Sequence, residues 1–172
     1  MDTIKLFTNY NNKVNSNLIH QNISEGNSVK FLEGHELRTA LMLLPSYAKK
    51  SLYVMVPYIG RGQLLNSVLN APGHINIKFF TRDKSGYLPS IKTLADPTLA
   101  ELKLKNNIQV FIDNKIHAKI WLIEEMAIVH SMNGTFHSEN HNFEAGIMTT
   151  DKAVIEDIYS YFVRAEGEAV RL

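Results

Sequence analysis

The sequence predicts one α/β domain built on a mixed, largely parallel sheet with helices on both faces. Helical and strand-like apolar patterns alternate with short connections from about residue 35 to residue 112, which favours parallel strands joined by helices. Two β-like runs then follow each other closely, which indicates a hairpin. The length of 172 residues is enough for one core and too short for two. We therefore expect a single domain over 1–172 with its core at about 35–163.

The first half predicts these elements in order. Residues 1–30 are rich in Asn and Ser and contain one β-like run, which indicates an edge strand at 4–8 followed by a loop. Apolar residues recur at helical spacing from 35 to about 50, and the apolar run that follows predicts a buried strand. Further helices are expected at 63–69 and from the Asp96-Pro97 pair to about 106, and further strands at 75–81 and 108–112. Functional groups in such sheets gather at the carboxyl ends of strands.

The second half predicts the hairpin and a final strand and helix. Its two β-like runs, at 116–123 and 127–132, are separated only by Glu124, Glu125 and Met126. A strand at 144–149 precedes an amphipathic helix from about 152 to 163.

Composition excludes several classes of protein. Eighteen Lys and Arg against seventeen Asp and Glu give a net charge of +1, so no overall field attracts a polyanion and any such site is local. Cysteine is absent, which excludes disulfides, thiolate metal sites and cysteine nucleophiles. No apolar run has the length of a signal peptide or of a membrane span. These features predict a soluble cytoplasmic protein that does not act on membranes.

One segment concentrates the groups that carry chemistry. Four of the seven histidines fall within 25 residues, in the stretch that also carries a lysine and several polar side chains. They are His117, His130, His137 and His141, with Lys119, Ser131, Asn133 and Glu144 among them. Alternation along strands places His117 and Lys119 on one face, and Ser131 and Asn133 on one face of the next run. In the expected hairpin register these four side chains converge.

This set of side chains suits phosphoryl chemistry. A neutral imidazole is a nucleophile or proton carrier, an ammonium binds a phosphate oxygen, and hydroxyl and amide groups bind the others. The set lacks the carboxylate and cysteine ligands of a Mg²⁺ or Zn²⁺ phosphatase, so positive side chains must neutralise the transition state. We therefore predict neither a metal nor another cofactor.

At these residues the sequence resembles the phospholipase D superfamily. His117-Ala118-Lys119 followed after four residues by Glu124, and then Ser131-Met132-Asn133, is similar to that superfamily's His-x-Lys-(x)4-Asp and Gly-Ser-x-Asn. Glu144 stands at about the distance at which the single-motif nucleases of the superfamily place a glutamate. Residues 54–59 look like the first core strand of such domains.

The resemblance implies a role for each residue. His117 would attack phosphorus and form a phosphohistidine that water hydrolyses, while Lys119 and Asn133 would hold phosphate oxygens. Ser131 would orient groups around His117, and Glu144 would accept the second ring N–H of that histidine. The superfamily uses two such histidines in one site and this chain supplies one, so a two-fold homodimer sharing one active site is implied.

The chain departs from the superfamily pattern in three places. His130 stands where the superfamily has glycine, Glu124 replaces an aspartate that is usually structural, and the interval from Glu124 to Ser131 is one residue shorter. Alternation predicts that His130 faces away from Ser131 and Asn133 and leaves the site undisturbed, unless a bulge turns it inward.

Two functions follow. The first is a metal-independent phosphodiesterase, most consistent with a nuclease that cleaves DNA or RNA. The second is a catalytically weakened module of the same fold that binds nucleic acid or a protein partner.

Secondary candidates are a metal held by His137 and His141 if a helix forms there, nucleic-acid contacts from one loop, an anion site near Arg61, and core packing for Trp121. The loop contacts would come from Arg82, Lys84, Tyr87 and Lys92.

Overall fold

A computed structural model describes residues 28–83 and 97–172, which form eight strands and five helical segments. In the first half these are β1 (Val29–Glu33), α1 (Gly34–Tyr47), β2 (Ser51–Met55), α2 (Gln63–Leu69), β3 (Asn76–Thr81), α3 (helical over 97–103) and β4 (Ile108–Ile112). In the second half they are β5 (Ile120–Ile123), β6 (Met126–His130), α4 (Phe136–His141), β7 (Ala145–Thr149), α5 (Lys152–Glu168) and β8 (Val170–Arg171).

The strands form one mixed sheet in the order β1-β7-β6-β5-β2-β3-β4-β8. Among these eight strands, only β2–β3 and β3–β4 pair in parallel. The mixed sheet is confirmed, but the expectation that it is largely parallel is wrong. Parallel pairs need a crossover connection, and the two-residue link between β5 and β6 allows only an antiparallel pair. Strand β7 also pairs antiparallel with β6 and with β1.

Helices cover both faces of the sheet, as predicted. On one face, α1, α2 and α3 pack with the sheet around a first core cluster that includes Leu37, Leu64, Leu102 and Trp121. On the other face, α5 packs Ile158 and Phe162 against a second core cluster with Phe80 and Leu122. Both clusters exclude water from the central strands, which fixes the direction of every side chain along them.

Sequence and structure agree closely in the middle of the chain and differ at its ends. The helix at 63–69 and the strand at 108–112 are confirmed as α2 and β4, and the hairpin is confirmed as β5–β6. The strand expected at 4–8 lies outside the described residues. Within the described residues the two edge strands are β1, which pairs with β7, and β8, which pairs with β4. None of the helices in 28–83 and 97–172 has the length and apolarity needed to span a bilayer.

Candidate active site at the carboxyl edge of the sheet

The predicted site residues lie at one edge of the sheet. Strands β2 and β6 point the same way because β5 is antiparallel to both. The segments that follow β2 and β6 therefore meet the segments that precede β5 and β7. Ile59 and Gly134 form a parallel bridge there, and the N–H of Gly60 donates to the carbonyl of Gly134 at 2.8 Å. Backbone hydrogen bonds therefore hold the segment after β2 against the segment after β6 at this edge of the sheet.

Lys119 enters this edge just before β5. Ile116 and Ala118 pack towards the second core cluster, so alternation directs His117 and Lys119 the other way. The Lys119 Nζ donates to the carbonyl of His117 at 2.9 Å. Burial lowers the pKa of the Lys119 ammonium, and the charge of Glu144 opposes that shift. The ammonium is therefore partly dehydrated and close to Glu144, while the His117 ring is exposed.

Glu144 is the centre of the polar network. Its side chain is buried and accepts hydrogen bonds from the hydroxyls of Ser131 and Ser138 and from the Asn142 Nδ2 at 3.1 Å. The Ser131 hydroxyl in turn accepts the backbone N–H of Ala145 at 3.1 Å. Both carboxylate oxygens thus have donors, and the His117 ring is not among them. In this chain the two serines orient Glu144.

Ser138 connects Glu144 to Asn133. Its hydroxyl accepts the backbone N–H of Asn133 at 2.9 Å, and its side chain is almost fully buried. The Asn133 Oδ1 is buried and has no hydrogen-bond partner among the described residues. Ser138 therefore positions two of the predicted site residues, a role that the motif pattern did not indicate.

The helix that carries Ser138 also differs from the sequence-based expectation. The polar string at 135–142 favours a loop, but α4 occupies Phe136–His141. The Thr135 hydroxyl accepts the backbone N–H of Ser138 at 3.3 Å, which is an N-cap, and a threonine at this spacing is the signal that could have revealed the helix. His137 and His141 consequently share a helix face, with ring centroids 5.2 Å apart. Within 28–83 and 97–172, however, no three His, Cys, Asp or Glu side chains group closely enough to hold a metal.

His130 lies opposite Lys119, a neighbour that the sequence did not predict. The hairpin turn has two residues, because Ile123 pairs with Met126. This register places His130 opposite Lys119, and the N–H of His130 donates to the Lys119 carbonyl at 3.0 Å. The sequence suggested a three-residue turn, and that register would have placed Ser131 opposite Lys119. The observed two-residue turn shifts the pairing by one residue and places His130 there instead.

The His130 imidazole is buried and neutral. Both of its ring nitrogens lack a hydrogen-bond partner in the described part of the chain. Burial, followed by the nearby charge of Lys119, lowers the pKa of His130 from 6.5 to about 3. Gly146 stands opposite, where a Cβ would collide with the Cβ of His130. The ring thus fills space beside the ammonium of the site.

Glu124 has the structural role expected for its position. Its carboxylate accepts the backbone N–H groups of Lys49, Lys50 and Ser51 at 3.1, 2.6 and 2.5 Å, which holds the turn between α1 and β2. Burial raises the pKa of Glu124, but these hydrogen bonds outweigh it and the pKa lies below its ordinary value. Glu124 sits at the opposite end of β5 from Lys119.

Glu139 is a second buried carboxylate, which no sequence motif indicated. It accepts the backbone N–H groups of Gln63 and Leu64 at 2.8 and 3.2 Å, so it caps the first turn of α2. A Cβ at Gly62 would collide with this carboxylate, which explains the glycine. Burial raises the pKa of Glu139, and the two N–H groups and Arg38 oppose that shift. Glu139 thus joins α4 to the loop after β2.

The secondary candidate residues differ in their surroundings. Trp121 is 2% exposed and packs in the first core cluster, as predicted. Arg61 forms an exposed ion pair with Glu101 at 3.7 Å. Arg82 lies over the Tyr58 ring, 5.9 Å from its centroid. Lys84, Tyr87 and Lys92 lie outside the described residues.

The family model described as cardiolipin synthase, PLD-like domain, matches residues 45–165. The chain belongs to this phospholipase D-like family. The match includes every residue of the predicted site and confirms the resemblance drawn from His117 to Glu144. No curated protein matches the sequence.

Solved structures share the phospholipase D-like fold at low identity. NucT from Helicobacter pylori is 15% identical with a TM-score of 0.70, and the similarity covers 84% of this chain and 98% of that one. Nuc from Salmonella typhimurium, described as a phospholipase D family member, is 15% identical with a TM-score of 0.69 over 84% and 97%. TrmBL2, described as an archaeal chromatin protein with a novel mode of DNA binding, is 12% identical with a TM-score of 0.60 over 99% and 66%.

Proposed function

We propose that this phospholipase D-like domain is a phosphodiesterase that cleaves a DNA or RNA backbone through a covalent phosphohistidine, without a metal. The observation that supports the proposal most directly is the polar network at the carboxyl edge. The ammonium of Lys119 is close to the carboxylate of Glu144, which the Ser131 hydroxyl binds, and it donates to the backbone carbonyl of His117. The nuclease names of two structural neighbours agree with this substrate class.

The first step breaks one P–O bond and forms one P–N bond. A ring nitrogen of His117 attacks phosphorus, and the leaving alkoxide takes a proton from a second imidazole. Lys119 and the amide of Asn133 bind the non-bridging oxygens and stabilise their charge. The partly dehydrated ammonium of Lys119 suits this task, because a weakly hydrated cation binds a phosphate oxygen more strongly.

The second step regenerates the enzyme. Water attacks phosphorus, the P–N bond breaks, and the second imidazole accepts the proton from water. Each protomer carries one such motif, so we propose that the second imidazole is His117 of the partner subunit in a two-fold homodimer. Glu144 holds negative charge near Lys119 and balances the cationic groups of the site.

A mass spectrum of protein quenched during turnover tests the chemistry. In EDTA, we expect the peptide that contains His117 to carry a covalent adduct, a phosphoryl group still esterified to one fragment of the cleaved strand, and we expect its loss in His117→Ala. His74→Ala is the matched control, because His74 is exposed and lies between α2 and β3, away from the site edge. Cleavage that stops in EDTA, or that persists in His117→Ala, contradicts the proposal.

A mixing experiment tests the shared site. When wild type and His117→Ala are mixed equally and allowed to exchange subunits, a shared site leaves about a quarter of the activity, whereas independent protomers leave about a half. Sedimentation of the wild type checks that the dimer exists at the assay concentration. Half activity together with a monomeric wild type contradicts the homodimer.

A second function is favoured by one observation. His130 places a buried ring on the residue opposite Lys119, where the superfamily has glycine. The alternative is therefore a module that binds nucleic acid or a protein partner without cleaving. Wild type and His117→Ala that are equally inert but shift DNA equally on a gel would support it.

A further inference from the structure

Four rings are concentrated beside the site, on α4 and the residues that follow it. Phe143 is fully exposed, at 108% of its reference area, and Phe136 is 61% exposed. The His141 ring lies between its neighbours on α4, with its centroid 5.9 Å from that of Phe136 and 5.2 Å from that of His137. The two exposed phenylalanines lie close to the polar network and offer free ring faces on which a ligand can bury apolar area.

Phe143 is a direct chain neighbour of the site residue Glu144. It directly precedes Glu144, and both residues line an open groove with Glu33, Glu36 and Asn142. The same Asn142 donates to the Glu144 carboxylate at 3.1 Å. A molecule held over Phe143 is therefore next to the hydrogen-bond network of Glu144, whose charge acts on Lys119.

Charge in the groove selects what Phe143 can receive. Glu33 is exposed and adds a carboxylate to the lining, whereas the Glu36 charge is paired with Lys30 at 2.5 Å. His35 also lines the groove, and the Glu144 carboxylate is buried and bound by two serine hydroxyls. A phosphate is repelled by the Glu33 carboxylate and attracted by Lys119, whose ammonium is close to Glu144. The group that fits over Phe143 is consequently flat, aromatic and uncharged.

We infer that Phe143 is a stacking platform for an unpaired base of the nucleic-acid strand whose phosphate is bound near Lys119. The inference rests on the proposed function, because it takes the substrate to be a nucleic acid. Base stacking on an aromatic ring needs a free base face, which a single strand offers and a continuous duplex does not. Phe143 thus selects single-stranded over double-stranded substrate and tolerates any base. Phe136 extends the same surface.

Equilibrium binding in EDTA tests this inference. The probes are a fluorescent single strand of about twelve nucleotides, the same strand with abasic sites, and its duplex. The protein carries His117→Ala so that no probe is cleaved. Added to it are Phe143→Ala, Phe143→Tyr, which keeps the ring, and Leu104→Ala, which shortens an exposed apolar side chain between α3 and β4.

We expect Phe143→Ala to weaken binding of the single strand on the order of tenfold. Phe143→Tyr and Leu104→Ala should bind as the parent does. Phe143→Ala should leave binding of the abasic strand unchanged, because that strand has phosphates without bases. Equal loss for the abasic and normal strands, or no loss for either, overturns the inference.

Sedimentation and kinetics distinguish base stacking on Phe143 from a dimer contact and from the proposed catalysis. If Phe143→Ala converts a dimer into monomers in sedimentation, Phe143 belongs to the contact between copies and the inference is wrong. If the wild type forms no phosphohistidine but the base-dependent effect of Phe143 remains, the proposed catalysis fails and the stacking platform stands. If phosphohistidine forms and Phe143→Ala cleaves the single strand with unchanged KM, catalysis stands and the platform fails.

Discussion

Replacing His130 by leucine should remove a pH dependence from the stability of the fold. The imidazole is 8% exposed, and burial together with the charge of Lys119 lowers its pKa from 6.5 to about 3. At a pH between these two pKa values, His130 is protonated in the unfolded chain and neutral in the folded chain. The free energy of unfolding therefore falls as the pH falls. The free energy of unfolding changes by up to about 1.4 kcal/mol per pH unit for one such group. Between pH 7 and pH 5, His130 should therefore lower the free energy of unfolding by about 2 kcal/mol.

Urea unfolding followed by the fluorescence of Trp121, the single tryptophan, measures this effect. The wild type should lose about 2 kcal/mol more than His130→Leu between pH 7 and pH 5. The other six histidines are present in both proteins and cancel in the comparison. Glu124, whose pKa is lowered, loses its stabilising effect only as the pH falls below the range of an unfolded glutamate, outside this window. Parallel losses in the two proteins would refute the assignment of a buried neutral imidazole.

Three other substitutions test the polar contacts of the site and its supports. Ser138→Ala removes a hydrogen-bond donor to Glu144. We expect kcat for phosphodiester cleavage to fall about 10–100-fold with little change in KM. An unchanged kcat would contradict the positioning role of Ser138. Glu124→Gln should lower the free energy of unfolding by about 1–2 kcal/mol at pH 7 and make stability less sensitive to acid below about pH 4.5, as measured by urea unfolding at several pH values. Gly62→Ala should destabilise the protein by about 1–3 kcal/mol, because its Cβ displaces the buried Glu139 carboxylate, and thermal unfolding would show this as a lower Tm.

The sequence predicts elements well where one apolar pattern decides them. The bounds of α2 and β4 agree because each is a short apolar segment that ends at polar or glycine residues. The helix α4 lacks that signal: its buried residues are Ser138 and Glu139, which are polar. Its stability depends on contacts with Glu144 and with the N-terminus of α2, which are distant in sequence. A local pattern cannot contain that information.

The composition of the site was easier to predict than its arrangement. Motif spacing indicated His117, Lys119 and Glu144, and the structure brings the last two close together. The residue opposite Lys119 depends on the register of the hairpin, and the register depends on whether the turn has two or three residues. The observed two-residue turn places His130 rather than Ser131 opposite Lys119. The serines that hold Glu144 come from two separate segments, and only the assembled edge shows that both reach it.

The carboxylate of Glu139 makes two distant positions depend on each other. It occupies the volume that a side chain at position 62 would need, and it satisfies N–H groups that nothing else among the described residues reaches. A homologue that has lost the acid at 139 is released from the requirement for glycine at 62, and one that gains a side chain at 62 must shorten or remove the acid. The two positions should therefore covary within the family, independently of whether a given member retains its nucleophile.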